Sequence, residues 1–314
     1  MRPKGPGAEG GMGMDLMFHD VAVFIKPTET KAADLEALIA LVESEGFKVW
    51  VCERSAALLK GRSTERPGYS RRRLGELCDI ALVFGGDGTM LGVTRDLSEF
   101  DIPIVGINAG RLGFITDMVV GTMHELLPPI LKGRFIKDRR YLLEGEVIRN
   151  GDCLFKHIAV NDIGLSNGRV GGIIEARIDV NGDPMACQLA DGIICASTTG
   201  STAYSLAAGG PLLHPALDGI CLVPVAAHTL SNRPIVLPGD AVIEVTLLDA
   251  REAVAYFDVQ EFFDVQPGDV LRVKRSNRTL TMLHPEGYDF FELLRRKLKW
   301  NYMPANHAKN ESSM

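Results

Sequence analysis

The apolar run Ile80-Ala81-Leu82-Val83-Phe84 passes straight into Gly85-Gly86-Asp87-Gly88, and Thr89 to Leu97 continues at helical spacing. An apolar run without polar alternation suits a strand covered on both faces, the environment of parallel strands packed between helices. The same texture recurs on either side. Val21 to Ile25 is followed by Leu35, Leu38, Ile39 and Val42 at helical spacing, closed by Gly46, and a further strand is expected from Phe47 to Val51. Ile102 to Ile107 leads into Asn108-Ala109-Gly110-Arg111-Leu112-Gly113-Phe114, and a helix is predicted from Thr122 to Leu131. Strands alternating with helices specify an open, mainly parallel sheet, whose ligands gather at the carboxyl ends of its strands. Both glycine-bearing connections lie there.

After Lys137 the chain changes to strands separated by short turns. Tyr141 to Arg149 and Phe155 to Leu165 read as β, and Ile173 to Val180 alternates up to Asn181-Gly182, a dipeptide suited to a tight hairpin. Pro238-Gly239-Asp240 and Pro267-Gly268-Asp269 each introduce another strand. A helix is predicted over Thr199 to Ala208, directly after the strand Ile193 to Ala196, and helical spacing returns at Tyr288 to Leu298. The expected architecture is α/β plus β: an N-terminal open, mainly parallel α/β domain and a C-terminal β-rich, sandwich-like domain. The boundaries read as a flexible tail over 1–14, the α/β domain over 15–138, the β-rich domain over 139–285, and over 286–314 a helix returning to the first domain with a tail. The basic stretch Arg62 to Arg73 lacks periodicity and reads as a mobile, solvated loop rather than an anion site.

Length agrees with two domains, since 314 residues is about twice one ordinary domain. Hydrophobic residues at 46% and charged ones at 24% exclude disorder as the main state. A net charge of -6 gives no field to attract nucleic acid or anionic lipid, so a phosphate ligand must be held by local groups. No apolar run approaches the roughly 18 residues of a membrane helix, and the glycine-rich start lacks a signal peptide's apolar middle. The six cysteines show neither a C-x-x-C pair nor zinc-type spacing and read as reduced thiols. Together these predict a cytoplasmic protein that binds neither nucleic acid nor membrane.

The strand, turn and helix around Asp87 carry the first chemistry. Glycines let the backbone approach a ligand closely, and a helix N-terminus offers unpaired N–H groups to phosphate. A carboxylate amid phosphates has a reason to be there if it accepts a proton or binds a metal. The spacing is neither that of a P-loop nor that of the dinucleotide fingerprint. Asn161-Asp162 fits a nucleoside, because Asn can pair with an adenine edge and a carboxylate accepts ribose hydroxyls; a turn or capping role is equally open from the residues alone. Asp191-Gly192 and Ser197-Thr198-Thr199-Gly200-Ser201-Thr202-Ala203-Tyr204 form a hydroxyl-rich turn able to hold ribose or phosphate, or simply to cap a helix. His157, His214, His228 and His284 lack ligand spacing and read as structural.

Taken in order, Gly85-Gly86-Asp87-Gly88-Thr89, Leu112-Gly113-Phe114, Asn161-Asp162, the stretch from Asp191 to Pro211 and His228-Thr229-Leu230-Ser231-Asn232-Arg233-Pro234 resemble the NAD kinase family. The first motif alone is shared with diacylglycerol kinases, sphingosine kinases and phosphofructokinases. The resemblance implies ATP as phosphoryl donor, NAD as acceptor at the 2′-hydroxyl of its adenosine ribose, a divalent metal ion such as Mg2+, and a homodimer or homotetramer with sites between subunits. By the family's pattern Asp87 is the proton acceptor. Gly85, Gly86, Gly88, Thr89, Leu91 and Phe114 belong to the nucleotide site, Asn161 and Asp162 hold NAD, and Asp191, Thr199, Thr202, Ala203, Tyr204 and Asp258 complete the pocket; no residue is assigned to the metal. The chain departs from the pattern twice. Thr198 replaces the proline of Thr-Pro-Thr-Gly, and Val259 replaces the glycine of Phe-Asp-Gly-Gln, where positive φ is expensive for a β-branched side chain. The alternatives are a lipid or sugar kinase sharing the phosphate turn, or a non-catalytic dinucleotide sensor.

Overall fold

The computed structural model describes residues 18–299, apart from Ala109, Arg111, Leu112, Asp117, Arg169, Val170 and Leu230. The expected tails, Leu112 of its motif and Leu230 of the His228 segment thus lie outside the described residues. In the first half, parallel strands stand in the spatial order Gly68–Tyr69, Lys48–Cys52, Asp20–Ile25, Ile80–Phe84, Ile104–Asn108. Their side chains alternate between two apolar layers, as the strand period dictates. Val21, Val23, Leu82 and Phe84 pack with Leu35, Leu38 and Ile39 of the helix Ala32–Ser44, whereas Ala22, Phe24, Ala81 and Val83 pack with Met90, Val93 and Leu97 of the helix Asp87–Leu97.

This strand order fixes where a ligand can sit. The chain builds outward from Asp20–Ile25 to Gly68–Tyr69, then returns to lay Ile80–Phe84 on the opposite flank of the first strand. Helices leave the sheet in opposite directions at that reversal and open a crevice beyond the strands' carboxyl ends. Gly85 begins directly at its edge.

The second half is built on the long strand Val270–His284, which joins the parallel sheet beside Ile104 and pairs antiparallel with Ile136–Arg149 and Ile243–Asp249. One sheet therefore runs through the whole molecule. A second, antiparallel sheet has the order Ile235–Pro238, Gly219–Val225, Gly192–Ala196, Asp162–Asn167, Ala253–Phe257, Glu261–Val265. The two enclose a core containing Leu143, Val147, Ile163, Leu165, Ile178, Ile193, Val245, Phe257 and Val273, the sandwich-like arrangement expected. The helix Phe290–Leu298 buries Leu293 and Leu294 and sets Phe290 against His214 of the second half.

Three local expectations change. The basic stretch is not one loop: Gly68–Tyr69 pairs with Val51 and Cys52, and Ser70 caps a helix Arg71–Leu77 by accepting from Arg73 N. Its arginines do serve the surface, Arg62 pairing with Glu36, Arg66 with Glu43 and Arg71 with Asp96. The β reading of 155–165 breaks at Val160-Asn161, between the strands Asp152–Ala159 and Asp162–Asn167. The helix over 199–208 is a 3-10 turn Gly200–Thr202 followed by a short α-helix Tyr204–Ala207, interrupted at Ala203, whose ψ of -128° is not helical. Among the described residues no helix is long and apolar enough to cross a membrane.

Candidate active site

Gly86 caps the helix Asp87–Leu97 from an extended conformation, so Asp87 is its first helical residue and stands at the positive end of the helix dipole. The local backbone is partly committed: Gly85 N donates to Ile107 O, and Thr89 N to Gly86 O. The N–H groups of Asp87 and Gly88, with no intrahelical acceptor within reach, are the ones left for an anion. Lys26, paired with Glu29, borders the same turn near Gly86.

The Asp87 carboxylate turns toward the second glycine-bearing connection. Its Oδ2 accepts from Phe114 N at 2.8 Å, and its Oδ1 from Ile115 N at 3.3 Å and from Thr116 Oγ1 at 3.1 Å. Thr116 Oγ1 in turn accepts from Asn108 Nδ2 at 2.9 Å and Gly113 N at 3.2 Å. A Cβ on Gly113 would overlap both the carboxylate and the threonine hydroxyl, which explains glycine at this close approach. A carboxylate offers about four lone-pair sites, so three donors fix its direction and leave room for one more.

Across the cleft, the Asn161-Asp162 turn is organised from beneath. Asp258 is buried, and its Oδ1 accepts from Asn161 N at 2.7 Å and Asp162 N at 3.3 Å, while Val160 N donates to Oδ2 at 2.9 Å. Arg95 Nη1 donates to the same carboxylate at 3.0 Å, and Arg95 Nη2 to Gln260 Oε1 at 2.7 Å. Gln260 Nε2 then reaches Gly88 O at 3.0 Å. One chain of hydrogen bonds thus ties the glycine turn of the first half to the Asn-Asp turn of the second. Asp258 and Val259 both hold φ of 54°, so the valine takes the left-handed conformation that its sequence position led us to expect would be strained.

The hydroxyl-rich turn packs onto the same Asn161. Ser197 N donates to Asn161 O at 2.8 Å, Ser197 Oγ to Val160 O at 2.6 Å, and a Cβ on Gly200 would collide with the Asn161 carbonyl. Asn161 Oδ1, Asp162 Oδ1 and the hydroxyl of Tyr256 are buried without partners among the described residues. Burial, aided by the Asp258 carboxyl, pushes Asp162 up to about 7. Tyr204 is 41% exposed and lies 6.3 Å from the Tyr256 ring, leaving a ring face open above this group. Orphaned buried polar atoms are rare and point to a ligand that completes them.

The structure therefore gathers Asp87, Gly86, Gly88 and Phe114 on one wall, and Asn161, Asp162, Thr199 and Tyr204 on the other. Three expected positions stand apart. Leu91 is packed in the core with Met90 and Val93, because the helix turns it inward. Asp258 lies behind the Asn-Asp turn, its oxygens occupied by protein donors. Asp191 precedes the strand Gly192–Ala196, whose far end meets Asp162, and five residues of strand put it about 17 Å away. Thr202 donates to Thr199 O within its own turn, next to Ala203. Among the histidines, His284 is buried against Tyr288 and His157 stacks on Phe155, both structural placements. Thr116, Arg95 and Gln260 were not singled out by the sequence; Arg95 sits on a helix face that reads as solvated, and only the fold brings Gln260 to Gly88.

A glycine turn at a helix N-terminus and an Asn-Asp turn with unpartnered buried polar atoms, joined across one cleft, fit a nucleotide-binding α/β protein with a β-rich second half. Family models agree in succession: the ATP-NAD kinase N-terminal domain matches residues 40–135, and the ATP-NAD kinase C-terminal domain matches residues 160–284. The NAD kinase of Polaromonas sp. (strain JS666) is 49% identical over 289 residues, 92% of this chain and 99% of that protein. That of Paraburkholderia phytofirmans is 44% identical over 280 residues, 89% and 93% of the two chains. The chain belongs to the ATP-NAD kinase family. Solved structures share its fold: yeast NADH kinase complexed with NADH has a TM-score of 0.82 at 21% identity over 94% of both chains, and an NAD kinase from Archaeoglobus fulgidus in complex with ATP has 0.71 at 23%, over 89% of this chain and 98% of that one.

Proposed function

We propose that this chain transfers the terminal phosphoryl group of ATP to NAD, at the 2′-hydroxyl of the adenosine ribose, with Asp87 receiving the hydroxyl proton. The observation that carries this reading is the bridge from Gly88 O through Gln260, Arg95 and Asp258 to the backbone of Asn161 and Asp162. It holds a phosphate-facing helix end and a nucleoside-facing turn in one register, which is what an in-line transfer between two bound nucleotides requires.

Phosphoryl transfer has a loose transition state, so the protein mainly aligns the groups and neutralises charge. The Asp87 and Gly88 N–H groups and the helix dipole face the donor's phosphates. Asp87, held by Phe114, Ile115 and Thr116, keeps one acceptor site for the ribose hydroxyl and takes its proton late, as the new P–O bond forms. Among the described residues no three His, Cys, Asp or Glu side chains converge as a metal cage. The donor set suits a magnesium ion that arrives on the nucleotide phosphates, with Asp87 as the nearby carboxylate. When bound, that ion supplies charge neutralisation on the phosphates.

Asp191 lies remote from the cleft of its own chain, so in the homo-oligomeric reading a second copy would have to bring it to a pocket. The family relationship favours NAD over the lipid and sugar acceptors. Incubating the protein with ATP, magnesium and NAD and detecting NADP by mass tests the reaction and separates it from a non-catalytic sensor. Asp87→Asn keeps NAD binding within about twofold and lowers turnover at least about 10²-fold, the lower range for proton transfer; unchanged turnover removes Asp87 from the chemistry.

A further inference from the structure

The strand Ile136–Arg149 sends two consecutive side chains to the hydroxyl-rich turn. Tyr141 donates its hydroxyl to Gly219 O and accepts Thr198 N at 3.2 Å, a bond that needs the N–H which a proline at 198 would lack. Arg140, 4% exposed, donates from Nε and Nη2 to Asp138 Oδ2 at 2.9 and 2.7 Å, and its Nη1 lies 3.4 Å from Thr199 Oγ1. Asp138 also meets His284 Nε2 at 3.4 Å, and the His284 ring stacks on Tyr288 with centroids 3.9 Å apart.

A buried ion pair adds little stability over apolar side chains of similar size, so its presence behind a ligand turn asks for another reason. Guanidinium supplies what an apolar residue cannot. Its plane is fixed by the paired bonds to Asp138, and the N–H groups of Nη1, one of them toward Thr199, then point in set directions. Burial alone would raise the Asp138 carboxyl, but His284 and Arg140 bring it down to about 2, so the clamp is charged throughout the neutral range. Thr199 Oγ1 receives the Arg140 hydrogen, and its own hydrogen meets no acceptor among the described residues. The hydroxyl therefore has a donor to spare, on a turn whose backbone packs against Asn161.

We propose that Arg140 is a positioning residue: clamped by Asp138, it occupies the acceptor side of the Thr199 hydroxyl and so orients that hydroxyl as a hydrogen-bond donor to an oxygen or ring nitrogen of the bound dinucleotide. This rests on the reading that Thr199 faces NAD. Lysine at 140 keeps the charge pair with Asp138 but, as a point charge on a flexible stem, does not hold Asp138 and Thr199 together.

The test is a double-mutant cycle in the full chain with Arg140→Lys and Thr199→Val, reading KM for NAD, KM for ATP and kcat. Each single change raises KM for NAD about tenfold, the scale of one hydrogen bond involving a charged group, with KM for ATP and kcat within about twofold. The double variant resembles Thr199→Val alone, because the arginine acts through that hydroxyl. Thr199→Ser, which keeps the hydroxyl, retains both the wild-type KM and the sensitivity to Arg140→Lys. Multiplying effects in the double variant, or a wild-type KM in either single one, overturns the proposal. If the wild-type chain makes no NADP, the proposed reaction fails by itself, and the same cycle read in calorimetric NAD dissociation constants still decides the role of Arg140.

Discussion

Asp162 is the group whose removal separates stability from binding most sharply. It is 2% exposed, its Oδ1 has no partner among the described residues, and burial together with the Asp258 carboxyl lifts it from 3.8 to about 7. The folded protein therefore binds a proton that the unfolded chain has already released, over the window between those two values. Stability from this group is fully present below about pH 4, falls as pH rises toward 7, and is flat above. At 1.36 kcal/mol per unit, the shift amounts to about 2 kcal/mol lost by pH 5 and about 4 kcal/mol by pH 8. Asp162→Asn cannot ionise and escapes the loss. In urea unfolding without nucleotide, its advantage over the wild type should grow by about 2 to 3 kcal/mol between pH 5 and pH 8. Its affinity for NAD should fall at the same time, because the ionised carboxylate accepts ribose hydroxyls better than an amide does. Parallel pH profiles for the two proteins would show that Asp162 is not an acid whose proton is held up by burial.

Two further changes address the backbone around the site. Val259→Gly removes a β-branched residue from φ of 54° at a position 57% exposed, so relief of left-handed strain outweighs glycine's entropy and denaturant unfolding should show about 1 kcal/mol of added stability. Gly113→Ala puts a methyl group into the Asp87 carboxylate and the Thr116 hydroxyl, so unfolding should show about 1 to 3 kcal/mol lost, and steady-state kinetics a lower kcat with less change in KM for NAD.

Much of the scaffold was legible because its signals are local. Ile80–Phe84 is a strand covered on both faces and reads so from its unbroken apolar run; Asn181 and Gly182 take φ of 55° and 86°, as a tight hairpin turn demands. The expectation that Val259 sits where glycine belongs came from the family resemblance, and its φ of 54° agrees with it. Gly68–Tyr69 escaped notice because so short an edge strand exists only through its pairing with Val51 and Cys52, and the arginines around it carry no period.

The site divides along the same line. Asp87 at the start of a helix, glycines beside it, and an Asn-Asp pair opening a strand are properties of a few neighbouring residues, and backbone sterics and helix-end hydrogen bonding suffice to announce them. Gln260 lies 172 residues from Gly88, and Arg95 lies 163 from Asp258; no local rule relates them. Their meeting depends on two sheets packing in a particular register, and the distance of Asp191 from Asp162 depends on how their two strands pair. Side-chain chemistry and chain stiffness act over a few residues and so are written in the sequence, whereas the partners that aim a carboxylate or strand a buried oxygen are chosen by the packing of distant segments.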